Sequence, residues 1–399
     1  MTRASTLREV SDTVRRPASA ELSPDIPTGS GYLVLEDGSE FHGTYIGRPA
    51  AVAGEVVFTT AMAGYLESLT DPSFAGQLLV STYPLIGNYG VPRMMPTGGR
   101  PTPPMQSDRV QVQGFIVQSL AKYYSHHRAV ESLGSWLARN DVPILTDVDT
   151  RALTMRLRER GTMAGWLAPA TVSVDEAKRK ARFVDLHAQV FLDVAPKQTV
   201  TYAGGANRVL LIDVGAKEGI VDCLLRREST VVRAPWHADL LGLAKAADGI
   251  VIGNGPGDPA DLGELITVVQ ALLASFSGPI FGVCLGHQLL GRALGLPTFK
   301  LPYGHRGVNQ PVRNVVTGAC FVTSQNHGFA VNDTNLPSDC IKWFTNLNDG
   351  TSEGLRLVSR PVCSVQFHPE GMPGPRDAEC LFDEFVRDVA RARVAGCRT

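Results

Sequence analysis

The chain has 399 residues, of which 44% are hydrophobic and 19% charged, and its formal net charge is −1. That length predicts two folding units, and a near-neutral balance without a basic run excludes the electrostatic footprint of a nucleic-acid or anionic-membrane binder. The seven cysteines all lie in the second half, are odd in number and form no CxxC pair, which argues against a disulfide framework or zinc site; no apolar run is long enough to span a bilayer.

Residues 1–30 are polar and contain Arg and Ser, but also Glu9, Asp12 and Glu21. Transit peptides avoid acids, so this segment reads as a flexible extension of a cytoplasmic protein, with organelle targeting left open. From Tyr32 to about Leu167, short apolar runs (YLVLEDG, EVVFTT, QLLVSTYP) separated by Gly, Asp and Pro predict a strand-rich domain. Helices are predicted over 129–140 (AVESLGSWLARN) and 150–160 (TRALTMRLRER), the second behind an Asp149-Thr150 cap. Between these and the early strands, RMMPTGGRPTPPMQSD reads as a long surface loop. A helical stretch over 174–191 and the polar run 196–207 read as a linker, so the first unit with its linker is placed at 31–195.

The second unit, 208–392, is more regular. Strands VLLIDVG, TVVRAPW, GIVIGNG and PIFGVC alternate with helices EGIVDCLLRR, ADLLGLAKAA, ADLGELITVVQALLAS and LGHQLLGRALG. Such alternation implies right-handed crossovers and an open, mostly parallel α/β sheet buried on both faces. ACFVTSQ, IKWFTNL, GLRLVSR and VCSVQFH add strands, expected to be antiparallel, and DAECLFDEFVRDVARAR closes with a helix.

Three constellations carry chemistry. Phe281-Gly282-Val283-Cys284-Leu285-Gly286-His287-Gln288 puts a cysteine where an apolar strand turns sharply into a helix, with glycines two residues before and after. That is the sulfur version of a nucleophile elbow: the glycines admit a strained turn, and the helix N-terminus favours the attacking thiolate. Its first backbone amides face the position of an oxyanion. A thiolate needs a proton shuttle. His287 is nearest in sequence but lies on the helix beyond the elbow. His368 is better placed, because VQFHPE ends an apolar strand and sets Glu370 two residues on, on the same face of extended backbone. Cys284, His368 and Glu370 then have the nucleophile, base and orienter order of a triad. The third is the loop Asn254-Gly255-Pro256-Gly257-Asp258-Pro259, at the carboxyl end of a predicted parallel strand, where such folds bind ligands. It lacks a GK[ST] ending, and its prolines remove amide donors, so it reads as a close-approach wall and oxyanion donor rather than a phosphate loop.

Taken together, the elbow, the NGPGDP loop and the HPE end resemble those of class I glutamine amidotransferases over about 208–390. LEDGSEFHG, GEVVFTTAMAGYLESLTDPSF, TYPLIGNYG and DVDTRALTMRLRERG resemble the amino-terminal domain of carbamoyl-phosphate synthase small subunits over 31–167. The resemblance implies that Cys284 attacks the side-chain amide of L-glutamine, His368 protonates the departing ammonia and Glu370 orients His368. It implies glutamine contacts at Ser73, Gly255, Gly257, Leu285, Gln288, Asn326, Gly328 and Phe329, with no metal and no cofactor in this chain. It further implies a large synthetase subunit that holds ATP and Mg2+, receives ammonia through an internal tunnel and makes carbamoyl phosphate for arginine and pyrimidine synthesis. A higher oligomer of that heterodimer is compatible with the family. Residues 1–30 and the Pro-rich loop are additions to the family pattern, and GAKEGIVDCLLRR departs from its commoner wording. Three other readings compete: a glutaminase serving another ammonia acceptor, a catalytically silent scaffold, and a cysteine hydrolase of the α/β type. The last expects a triad acid between nucleophile and histidine, whereas here the acid follows the histidine.

Overall fold

Seven short strands with inward apolar residues at every second position close on themselves in the first half of the chain. The computed structural model describes residues 26–93, 100–101, 104–184 and 189–396. Of the expected 1–30 flexible extension, residues 1–25 lie outside the described residues, whereas Thr28–Ser30 are not flexible extension but the start of the first barrel strand, paired with Thr44–Ile46. The barrel order is Thr28–Leu35, Met163–Pro169, Val52–Thr59, Gln77–Ser81, Gly114–Ile116, Ile144–Thr146 and Glu40–Ile46, which pairs back with the first strand. Leu33, Tyr45, Val56, Leu78, Ile116, Leu145 and Leu167, one from each strand, belong to a single buried cluster, which Leu153 and Leu157 of helix Thr150–Arg160 join. The next residues along the same strands, Ile46, Val57, Leu79, Phe115 and Ile144, pack outward with Trp136 and Leu137 of helix Leu133–Arg139. One sheet thus buries both faces, as its period of two requires.

The second half forms a ten-stranded sheet. Its centre is parallel: Ser229–Pro235, Asn207–Asp213, Gly249–Ile252, Ile280–Val283 and Val362–Val365 lie side by side. Apolar clusters cover both faces, one including helices Gly263–Ser275 and Leu285–Ala293 and the other Glu218–Leu225 and Cys380–Val394. Ser352–Leu357, Cys340–Asn346, Thr298–Asn314 and Cys320–Val331 extend it as antiparallel strands.

Several expectations need correction. Residues 129–140 are not one helix: Ala129–Glu131 is a short strand, and the Ser132 side chain caps a helix beginning at Leu133. The stretch 174–191 holds helix Val174–Lys180 and the start of Gln189–Val194, with 185–188 outside the described residues. Within the linker run 196–207, Val200–Tyr202 forms the edge strand of the second sheet, because β-branched Val and Thr and aromatic Tyr suit an edge position against Ser229–Pro235. VCSVQFH is antiparallel to one neighbour but parallel to Ile280–Val283, the strand that leads into the elbow. The 17-residue strand Thr298–Asn314 had no counterpart in the sequence reading, since Pro302, Gly304, Gly307 and Pro311 interrupt its alternation and two register shifts interrupt its ladder. Part of the Pro-rich loop is outside the described residues, but what is described is not all surface. Met105 and Gln106 are buried, and the Gln106 backbone carbonyl accepts from Glu218 N at 3.0 Å. Arg100 reaches Glu218 (2.9 Å) and Asp222 (2.5 Å). The loop is therefore a strap between the two halves.

Candidate active site

The elbow is built as steric reasoning requires. Cys284 has φ 53° and ψ −104° and caps helix Leu285–Ala293, while its amide donates to the Val365 carbonyl at 2.8 Å. A Cβ at Gly286 would run into the Ile252 carbonyl oxygen, and one at Gly282 would stand 2.7 Å from the Gly286 oxygen. A positive φ on a cysteine costs of order 1–3 kcal/mol and persists only where the surroundings enforce it. Here two neighbouring parallel strands and two glycines do so. The thiol points at the Asn326 carbonyl (3.6 Å) and the Gln366 amide (3.7 Å).

His368 Nδ1 meets Glu370 Oε1 at 2.6 Å. The contact is made differently from the expected extended strand: strand Val362–Val365 has ended, His368 forms an isolated bridge with Ser324, and a turn closed by Gly371 N to the His368 carbonyl brings Glu370 back. The other ring nitrogen, Nε2, is buried without a hydrogen-bond partner among the described residues. Burial alone disfavours an imidazolium, but the Glu370 carboxylate and the Cys284 sulfur outweigh it, and the His368 pKa is raised to about 10. His287 takes no part. Its Nδ1 pairs with the Ser364 hydroxyl at 2.9 Å, and complete burial lowers its pKa to about 3, so it is neutral.

Sequence reasoning missed a fourth group. Lys217 is 1% exposed, and its Nζ sits 2.9 Å from the same Glu370 oxygen that holds His368. Burial would raise the pKa of Glu370, yet the Lys217 and His368 charges hold it well down, at about 2. In return the Glu370 and Asp71 charges raise Lys217 against its own desolvation. The only signal was a lysine inside the apolar stretch DVGAKEGIV, where an unpaired ammonium could not be buried.

All eight expected glutamine contacts, together with Cys284, line one cleft of about 790 Å³ between the barrel and the second sheet. Ser73, in the turn Pro72–Phe74 of the barrel unit, accepts from Asn254 Nδ2 at 2.9 Å. Asn254 was quoted within the loop but given no role; its Oδ1 also accepts from the Lys217 amide, at 2.9 Å. Gly255 leaves no room for a Cβ beside the Val214 carbonyl, and Gly257 has φ 78°. Leu285 is the first residue of the elbow helix, and Gln288, one turn on, donates to the Phe329 carbonyl (2.8 Å) and to Gln366 (3.1 Å). Asn326 donates to Asp71 of the barrel unit at 3.0 Å, and Gly328 and Phe329 follow on the same strand. His368 lines an adjoining small cavity of about 20 Å³ shared with Asp71, Lys217, Ser324 and Pro373, and Asn326 borders both spaces.

Residues 33–167 match the family described as carbamoyl-phosphate synthase small chain, CPSase domain, and residues 210–388 match glutamine amidotransferase class-I. The chain is 43% identical to the carbamoyl phosphate synthase arginine-specific small chain of Chaetomium globosum, over 90% of this chain and 78% of the relative. It belongs to the carbamoyl-phosphate synthase small-chain family. Within that family the Schizosaccharomyces pombe arginine-specific small chain is 40% identical, with coverage of 92% and 90%. Multifunctional protein pyr-3 of Neurospora crassa is 41% identical over 95% of this chain, but the chain spans only 22% of that relative's length. The family's two parts correspond to the barrel and the ten-stranded sheet, and the second is a glutamine amidotransferase domain of class I. No helix among the described residues is long and apolar enough to cross a membrane.

Proposed function

We propose that this small chain hydrolyses L-glutamine and delivers the ammonia to a large synthetase subunit, which makes carbamoyl phosphate from bicarbonate and ATP. The observation that carries the reading is the buried row Cys284, His368, Glu370 and Lys217, with only Cys284 of the four lining the cleft that holds the expected glutamine contacts. The Cys284 thiolate attacks the side-chain carbonyl carbon of glutamine, and the new oxyanion lies beside the first amides of helix Leu285–Ala293, which have no partner within the helix. Protonated His368 gives its Nε2 proton to the amine, the C–N bond breaks, and ammonia leaves a cysteinyl thioester. Neutral His368 then takes a proton from water as it attacks the thioester, and glutamate departs with the thiolate restored. Glu370 holds the ring through Nδ1, and Lys217 keeps Glu370 ionised.

Ammonia released at His368 faces the small Pro373-lined cavity, and a second cavity of about 610 Å³ shares Pro373 and opens beside Met62, Arg128 and Arg376. That supports delivery away from the glutamine entrance, toward a partner bound on this face. The arginine-specific small chains among the relatives support a role in arginine synthesis, and the multifunctional pyr-3 relative supports one in pyrimidine synthesis; the complex is placed in the cytoplasm as part of the proposal. The test is carbamoyl phosphate formation by the reconstituted complex with glutamine or ammonium as nitrogen source. Cys284→Ser is expected to abolish the glutamine-dependent rate and to retain the ammonia-dependent rate. A variant that uses glutamine as well as wild type removes the triad assignment.

A further inference from the structure

Arg306 sits on the long strand that sequence reasoning missed, paired in register with Asn326, and its side chain is 6% exposed in the wall of the Cys284 cleft. A guanidinium buried to that degree costs several kcal/mol unless an anion or a full set of hydrogen bonds compensates it. Compensation here is incomplete. Nη1 donates to the Tyr303 carbonyl at 2.7 Å, Nε is buried with no partner, and no ion pair among the described residues includes Arg306. The carboxylate whose field reaches it, Glu55, is occupied: Oε1 accepts from Thr162 (2.8 Å) and Lys300 (2.7 Å), and Oε2 from Gln77 (2.9 Å). The space around the guanidinium is kept by glycine. A Cβ at Gly328 would stand 3.2 Å from Nη2, and one at Gly304 would collide with Nη1.

A cation held in the dry wall of a substrate cleft, whose negative neighbours are the already occupied Glu55 and the reacting Cys284 sulfur, is completed by an anion on the ligand. Glutamine carries one, its α-carboxylate, and the planar guanidinium fork suits a carboxylate bidentately. We infer that Arg306 binds the α-carboxylate of glutamine and makes the cleft selective for the free amino acid over the same amide without a carboxylate. This rests on the glutamine-hydrolysing reading and assigns the cleft a charged specificity residue in addition to the backbone and amide contacts of Asn326, Gly328 and Phe329.

The experiment compares kcat/KM for L-glutamine and for 4-aminobutanamide, which is glutamine without its carboxylate, in the complete complex carrying wild-type, Arg306→Gln or Arg306→Lys small chain. Both substrates are measured on one preparation, so partial unfolding cancels in their ratio. The expected result is that Arg306→Gln lowers the glutamine-to-analogue ratio at least fivefold, mainly through KM for glutamine, and that Arg306→Lys recovers part of it. A smaller fall overturns the inference, as does an equal loss on both amides, which would mean that Arg306 acts on the Cys284 thiolate instead. A wild-type complex that hydrolyses no glutamine would remove the function reading itself, a separate outcome.

Discussion

At the scale of single residues, the site is organised by charges that water does not reach. Glu370 is fully buried between two cations, so removing one of them leaves an uncompensated carboxylate. Lys217→Met is expected to destabilise the chain by about 3–5 kcal/mol, read from urea unfolding, and to lower glutamine hydrolysis at least 100-fold. Adding Glu370→Gln to that variant restores most of the stability but not the activity, because His368 then lacks its orienting anion. The pH dependence follows from the same charges. His368 has a raised folded-state pKa, so its contribution is fully present below the unfolded value of about 6.5 and is lost as pH rises through about 10. Melting temperature should therefore fall across that window, and His368→Gln should flatten the fall. Cys284, His368 and Glu370 were legible because each carries a local sequence signature. Lys217, Asn254 and Arg306 were not, since their partners lie 153 residues away for Lys217 and Glu370 and 181 for Asn254 and Ser73. Arg306 forms no ion pair among the described residues, so no acidic partner in the sequence betrayed it.

At the scale of elements, the elbow depends on contact between a helix and the strand beside it. Gly286→Ala forces a methyl group against the Ile252 carbonyl, and overpacking of that kind costs about 1–3 kcal/mol. Thermal unfolding should show that cost, and glutamine turnover should fall more steeply than stability because the sulfur is displaced. The parallel strands of the second half were legible from their alternation with amphipathic helices. The strand Thr298–Asn314 was hidden by its prolines and glycines, which a central strand rarely tolerates but a bulged antiparallel extension does. Helix Leu133–Arg139 was read too long because the apolar residues of Ala129–Glu131 continue its pattern while pairing with Val91–Pro92.

At the scale of the whole molecule, the substrate cleft is a joint between two units, and Asn254 spans it by holding Ser73 on one side and the Lys217 amide on the other. Asn254→Ala leaves both unpaired, at about 1–3 kcal/mol each. Its expected signature is a raised KM for glutamine with both units still folded, checked by steady-state kinetics beside circular dichroism. Two units and their order were legible from composition and element alternation. That the first would close into a barrel was not, because closure depends on Thr28–Leu35 meeting both Glu40–Ile46 and Met163–Pro169, a pairing set by register rather than by local pattern. The Pro-rich strap is anchored through Gln106 and Arg100 on Glu218, the residue that follows Lys217 in the chain. Whatever pulls on that strap pulls on the ammonium that keeps the triad carboxylate charged. A partner seated on the barrel could in this way set the pace of glutamine use from a distance, without contacting any atom that reacts.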